Sequence, residues 1–240
     1  MQFTPAPNYM DFNYTVAPLC NPTEVYGDNV LVRSYKLGEL LTVSRAKLNL
    51  ENNVVGYSFT QICNLLEPLV QMPAGKAFDD LRVSDALSIF GYALFLTDNE
   101  YNFGVICDCN SQECGEKNNR RVIPITELSL PDINVPDITI EYNGRTLTFT
   151  QETIRSLKDY YQLTKNGVPE SLAFATSILV DGKDLQERYD IVYDLPPRVV
   201  KEAELTTLKA VQFDSVEAVC PKCGNKVRLG IPFDLKDILP

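Results

Sequence analysis

Cysteine is the residue type best placed to do chemistry in this chain of 240 residues: seven are present, and five fall in two clusters. The second cluster, Cys220-Pro221-Lys222-Cys223-Gly224, is a Cys-Pro-x-Cys-Gly knuckle. Two thiolates at this spacing can share one ion, and the following glycine lets backbone amides turn towards sulfur. Zinc takes four such ligands in a tetrahedron. The first cluster holds Cys107, Cys109 and Cys114, the last followed by Gly115. Cys114, with its glycine, matches a knuckle cysteine best. Cys109 forms the tighter loop to it, and Cys107, which ends a strand as Cys220 does, is the alternative. The expected site is therefore Cys109, Cys114, Cys220 and Cys223 around Zn2+. An iron–sulfur cluster is the other occupant that the same thiolates permit. The competing reading is a site that has lost its metal, its knuckles surviving as turns.

A site filled by four protein ligands leaves no position for water, so the expected zinc is structural. It would close a loop of roughly one hundred residues, whose entropic cost grows only slowly with length. Thiolate–zinc binding, on the order of 10 kcal/mol in small domains, exceeds that cost. The ion would then hold the middle of the chain against its C-terminal part.

The composition narrows the chemistry further. Histidine is absent, which removes the commonest general base and the usual ligand of catalytic zinc. There is no phosphate-binding glycine loop and no nucleophile elbow. The net charge of −10 argues against nucleic acid, whose binding requires a basic surface. A hydrophobic content of 45% is enough for a core. No apolar run approaches the roughly 18 residues of a membrane span, and Met1-Gln2-Phe3-Thr4-Pro5 lacks the pattern of a signal peptide. The chain is expected to fold in a cytoplasm, where clustered cysteines are metal ligands more readily than disulfides.

The elements that must position these cysteines can be read from periodicity. Residues 1–30, rich in Pro, Asn and aromatics, read as an extended N-terminal arm that orders on a partner, or as a loose tail. Thr42–Leu48 opens a short helix. Phe59, Ile62, Leu65, Leu66 and Leu69 repeat at helical spacing. Ser84 is the expected N-cap of the next helix, with Asp85 in its first turn and Leu87, Phe90, Ala93 and Leu94 on its apolar face. Leu94-Phe95-Leu96 fits helix or strand. Tyr101–Ile106 is a strand delivering the first cysteines, and Val122–Ile125 a returning strand.

Ile138–Tyr142, Asn143-Gly144 and Arg145–Phe149 form the clearest hairpin, because Asn-Gly suits a tight primed turn. Four helices follow. The first is capped by Thr150 and the second runs from Pro169 towards a C-cap at Gly182. The third covers Asp184 to Tyr193, and the fourth starts near Pro197. A strand, Val216–Val219, leads into the knuckle, and Lys226–Phe233 returns. The fold class is α+β: helical bundles joined to short antiparallel hairpins, with a zinc-ribbon-like pair of cysteine knuckles. Residues 31–130 form a helical subdomain ending in the first cluster, and 131–240 the hairpin, helices and C-terminal knuckle.

Other constellations read as structural. Cys63 lies on an apolar helical pattern and belongs to the core, and Cys20 is incidental. Asp79-Asp80, just before a helix, and Glu202 with Glu204, on a solvated helix face, are ordinary surface acids. Asn118-Asn119-Arg120-Arg121 is a turn or a protein contact.

The order of these features resembles the T4-type baseplate hub assembly proteins of contractile-tail bacteriophages. The matching pieces are Pro18-Leu19-Cys20-Asn21-Pro22 near Tyr26-Gly27, the helical segment Phe59–Val70, and Asp80-Leu81-Arg82-Val83-Ser84-Asp85-Ala86-Leu87. They continue with the strand before the first cysteines, Val219-Cys220-Pro221-Lys222-Cys223-Gly224, Ile231-Pro232-Phe233 and Leu239-Pro240. The resemblance implies a non-enzymatic role in building the central hub of a phage baseplate. Its partners would be other baseplate, hub or tail-tube proteins, not nucleic acid or membrane. It would work in the host cytoplasm during assembly, or remain in the virion tail. The alternative is a zinc-ribbon adaptor outside the tail, such as a transcription accessory protein.

Overall fold

The structure, a computed structural model, describes residues 14–43, 59–97, 102–107, 119–124, 136–207, 212–220 and 222–232. Side chains are described for 14–43, 63–97, 136–204, 219–220 and 222–226. Strands β1 (Thr15–Val16), β2 (Leu31–Val32) and β3 (Val70–Gln71) make a small antiparallel sheet in that order. Thr15 lies opposite Val32, and Leu31 opposite Gln71. Helix α1 covers residues 37–43. Helix α2 (Phe59–Leu66) runs into a 3-10 turn, Glu67–Leu69, that leads directly into β3. Arg33, just after β2, fixes this corner. Its guanidinium donates to both carboxylate oxygens of Glu39 at 2.9 and 3.0 Å, and to the carbonyls of Ser34 and Pro68. The Arg33 charge holds the Glu39 carboxyl below its ordinary value.

Helix α3 (Val83–Thr97) is buried around nearly its whole circumference. A helix apolar on all sides must lie inside a core. That is why Leu94-Phe95-Leu96, open to either reading in isolation, is helix. α3 is packed by Tyr26, Val30, Val32, Tyr35, Leu66 and Leu69, among others, in the first of two cores. Tyr35 meets Phe90 edge-on with ring centroids 6.0 Å apart.

Strands β4 (Asn102–Cys107) and β5 (Asn119–Pro124) form a hairpin of their own. Asn119, Arg120 and Arg121 are therefore strand residues, not a turn. Strands β6 (Ile138–Tyr142) and β7 (Arg145–Phe149) pair in the expected register, with Asn143 at φ 49° and Gly144 at φ 74°. Two successive left-handed residues are what a primed turn demands, and Asn-Gly tolerates them best.

Helices α4 (Ile154–Lys165), α5 (Glu170–Ile178), α6 (Leu185–Tyr193) and α7 (Pro197–Thr207) follow. Leu147, Phe149, Phe174, Ile178, Val192 and Leu195 lie in the second core, between β7 and α5–α7. Strands β8 (Gln212–Val219) and β9 (Lys226–Pro232) close the described chain as an antiparallel pair. The class is α+β: helices with small antiparallel sheets.

Several boundaries differ from expectation, each for a hydrogen-bonding reason. Residues 14–30 are not an arm extending from the fold. Cys20, Tyr26 and Val30 are buried in the first core, and the Ala17 N–H donates to the Val30 carbonyl at 2.9 Å. Residues 1–13 lie outside the described residues, as do 44–58, which include most of the helix expected over Thr42–Leu48.

Thr150 does not cap α4, because its N–H donates to the Ile178 carbonyl and keeps the chain extended. The cap is Thr153: its hydroxyl oxygen accepts from the Ser156 N–H, while the Ser156 hydroxyl oxygen accepts from the Thr153 N–H. α5 ends at Ile178, well before Gly182. Leu179 turns extended to bridge Phe149, and the Val180 N–H donates to the Thr148 carbonyl. Gly182, at φ 126°, sits where a Cβ would meet Arg188 Cγ at 2.7 Å. Its role is to let α6 fold back closely.

Ile154, from the expected C-terminal unit, packs in the first core, and its N–H donates to the Leu81 carbonyl at 2.9 Å. The start of α4 is thus the joint between the two cores. Replacing Thr153 with Ala should destabilise the fold by about 1 kcal/mol, and Thr153→Ser by distinctly less, in urea-unfolding midpoints. Equal losses for both variants would show that the hydroxyl does not act as the cap.

Candidate functional site

The β8–β9 hairpin carries two of the expected metal ligands in its connecting turn. The Cys220 N–H donates to the Asn225 carbonyl, and the Gly224 N–H donates to the Cys220 carbonyl, each at 2.9 Å. Gly224 takes φ 72°, a left-handed conformation that glycine adopts without strain. Cys220 is buried and Cys223 exposed. The donor set suits a soft metal as one half of a four-ligand site. Cys107 ends β4, opposite Asn119. Cys109 and Cys114 lie outside the described residues. Among the described residues, no three His, Cys, Asp or Glu side chains converge as metal ligands.

A second polar constellation, which the sequence reading did not assemble, lies deep in the first core. Asp85 in the first turn of α3 has no solvent exposure. Its Oδ1 accepts the backbone N–H groups of Cys20 at 2.6 Å and Asn21 at 3.0 Å. Its Oδ2 accepts Asn21 Nδ2 at 2.9 Å and the Tyr26 hydroxyl at 2.6 Å.

Four donors therefore saturate one carboxylate, which is what a buried charge requires. The surroundings complete the net. Asn21 Nδ2 also donates to Ser84 Oγ at 2.8 Å, and Arg82 Nη1 donates to Asn21 Oδ1 at 2.8 Å. The Arg82 backbone N–H donates to the Tyr26 hydroxyl oxygen at 3.1 Å, and Ser88 Oγ donates to the Pro18 carbonyl at 2.6 Å.

Burial pushes the Asp85 carboxyl above the ordinary value of 3.8, against the opposing pull of its donors. The Tyr26 phenol is held well above its ordinary range, chiefly by burial and then by the neighbouring carboxylate. Cys20 is accordingly not incidental: its backbone amide is one of the four donors and its side chain is core. The constellation binds residues 18–26 to the start of α3. Every described group in it faces another protein group, which makes it a structural device.

The remaining candidates read as expected, with one addition. Cys63 is core, and burial pushes its thiol up to about 12, which makes it inert. Asp79 and Asp80 are not merely solvated. Lys158 Nζ lies 2.6 Å from Asp79, and Arg155 Nη2 lies 3.0 Å from Asp80, so both acids anchor α4. Glu202 is exposed on α7 and Glu204 half-buried. No helix among the described residues is long and apolar enough to cross a membrane. No family model, curated protein or solved structure matches the chain.

Removing the carboxylate in Asp85→Ala would strand four buried donors, and the loss of stability should be about 3 kcal/mol or more. A raised folded-state pKa also has a definite sign. The fold binds a proton that the unfolded chain releases near 3.8, so this group's contribution is full below that pH. It is lost as pH rises through the folded pKa and is constant above it. The stability of the wild type relative to Asp85→Asn should therefore decline from pH 3.8 upward and then level off, in urea titrations across the acid range. A relative stability that rises over that interval would refute this.

Proposed function

We propose that this chain is a non-enzymatic structural or assembly protein of a bacteriophage tail baseplate hub, acting through protein–protein contacts. The observation that carries the reading is the union of two segments far apart in sequence. Pro18–Pro22 with Tyr26, and Asp80–Leu87, are two of the pieces on which the resemblance to the T4-type hub assembly family rests. In the fold they are one buried polar unit, joined through Asp85.

The absence of histidine and the inward use of the Asp85 carboxylate support a role without catalysis. The acidic charge supports protein partners, namely hub, baseplate or tail-tube subunits, over nucleic acid. The place of action in this reading is the host cytoplasm during assembly, with the virion tail as a further location.

The reading includes a structural metal clasp resembling a pair of zinc-ribbon knuckles. Cys220 and Cys223 would hold Zn2+ together with Cys114 and Cys109, Cys107 being the alternative to the last. The ion's chemistry there is cross-linking alone, because four thiolates leave no position for water. The chain's own contribution is the β8–β9 turn, which presents two thiols three residues apart. That same hairpin favours a second reading, a zinc-ribbon adaptor acting outside the tail.

Purified full-length protein should carry about one zinc per chain by elemental analysis. Cys223→Ser and Cys114→Ser should each lose most of it and lower the melting temperature. Full metal content and an unchanged melting temperature in both variants would sink the clasp. Affinity capture of the tagged chain from infected cells should recover tail baseplate subunits. Recovery of transcription proteins in their place would favour the adaptor.

A further inference from the structure

The chain builds one hairpin pattern twice. In β4–β5, Asn102 lies opposite Pro124 and Phe103 opposite Ile123, and the ladder ends with Cys107 opposite Asn119. In β8–β9, Gln212 lies opposite Pro232 and Phe213 opposite Ile231, and the ladder runs up to Val219 opposite Lys226. One step further, the Cys220 N–H donates to the Asn225 carbonyl at 2.9 Å. Each hairpin therefore starts with a side-chain amide and a phenylalanine facing Ile-Pro. Each reaches its connecting segment with a cysteine facing an asparagine. A basic residue follows that asparagine, Arg120 in one and Lys226 in the other.

A difference in length hides this likeness in the sequence. Cys107 is four residues beyond Phe103, whereas Cys220 is seven beyond Phe213. Along a regular strand an even and an odd separation mean opposite faces. The register removes the conflict. From Phe213 to Val216, β8 advances three residues while β9 advances two, from Ile231 to Leu229. A bulge of one extra residue restores the alternation beyond it. On the returning strands, Asn119 is four positions from Ile123 and Asn225 six from Ile231, both even. Relative to the Phe–Ile pair, cysteine and asparagine hold the same face of the ladder in both hairpins.

We infer that Cys107, and not Cys109, is the counterpart of Cys220 and the ligand that the end of β4 supplies to the structural metal site. The assignment rests on the reading of the cysteines as a metal clasp, and it sets the strand-end position above the tighter loop to Cys114. Cys107 occupies the last paired position of β4, so the ladder fixes its backbone before any metal arrives. A ligand held on a strand end gives up less freedom on binding than one carried by a connecting segment, and it is placed more accurately. Two like hairpins that each bring a strand-end thiolate suit the four-thiolate tetrahedron of structural zinc.

The test uses the full chain, stripped of metal under reducing conditions and titrated with Co2+ and then Zn2+. Thiolate ligands give Co2+ a sulfur-to-metal charge-transfer absorption that falls as thiolates are removed. Cys107→Ser should weaken Zn2+ binding by about a hundredfold or more, since even outer-shell partners are worth ten to a hundredfold. It should also lower the charge-transfer band. Cys109→Ser should match the wild type in both respects. Cys107→His replaces one zinc ligand with another, so it should recover most of the affinity and shift the cobalt spectrum as nitrogen replaces sulfur. Circular dichroism melts of the metal-free variants separate a lost ligand from a damaged fold.

Wild-type binding in Cys107→Ser, with binding lost in Cys109→Ser, would overturn the assignment and leave the clasp standing. So would wild-type binding in both serine variants. A Cys107→His variant that neither recovers affinity nor alters the cobalt spectrum would overturn it as well, by making residue 107 a packing residue only. A wild-type chain that takes up neither ion would remove the clasp and the assignment together.

Discussion

Asp85 places a carboxylate inside a helix that is otherwise buried and largely apolar, and the first half of the fold is arranged around satisfying it. An isolated charge in that position would be prohibitively costly. The chain meets the cost by bringing residues 18–26 back over the start of α3, so that two backbone amides, an asparagine and a tyrosine converge on two oxygens. Several features follow from this one requirement. The segment between β1 and β2 cannot be a free arm. Tyr26 must be fully enclosed, with its phenol held in the protonated form. Arg82 must lie beside Asn21, which it reaches with its guanidinium.

The second half of the molecule is held differently. Its core is apolar and continuous from β7 through α5 to α7. Its polar contacts lie mostly at its margins, where Arg188 meets Asp159 and where Lys158 and Arg155 meet Asp79 and Asp80. The last two pairs are partly exposed, so their contribution to stability is small and they serve chiefly to orient α4. The stronger joint is backbone: Ile154 and Val83 exchange hydrogen bonds with Leu81 and Glu152 across the two halves. Because α6 lies at the outer side of this second core, its acids remain in solvent.

Much of the secondary structure was legible from local pattern. The β6–β7 hairpin was fixed by Asn-Gly and the alternation around it. α6 was read from Asp184, which the structure shows to be its cap, and the strands flanking Cys220 from their composition. The failures share a cause. Thr150 looks like a cap and Gly182 like a helix stop, yet the end of β7 and Thr150 pair with residues 178–180, which keeps Thr150 extended and ends α5 short of Gly182. Such long-range backbone bonds leave no local signature. The Asp85 network had one signal that could have been used. An acid in the first turn of a segment with no other charge and no polar face must be buried, and a buried acid needs donors. Reading Asp85 only as a favourable charge at a helix start missed this.

The sequence by itself determined what this protein lacks and what it offers for chemistry: no histidine, a strong acidic excess, and a Cys-Pro-x-Cys-Gly knuckle. These are properties of composition and short spacing, which no fold can alter. It also determined that Cys220 and Cys223 would sit in a turn between two strands, since both strands and the glycine are local. Only the tertiary structure decided that Cys20, Asn21 and Tyr26 belong to Asp85, some sixty residues away in the chain. It alone decided as well that Tyr193 is left exposed at the end of α6. Which donor meets which acceptor, and which face of a helix is left uncovered, depend on how distant segments pack, and the residues themselves carry no record of that.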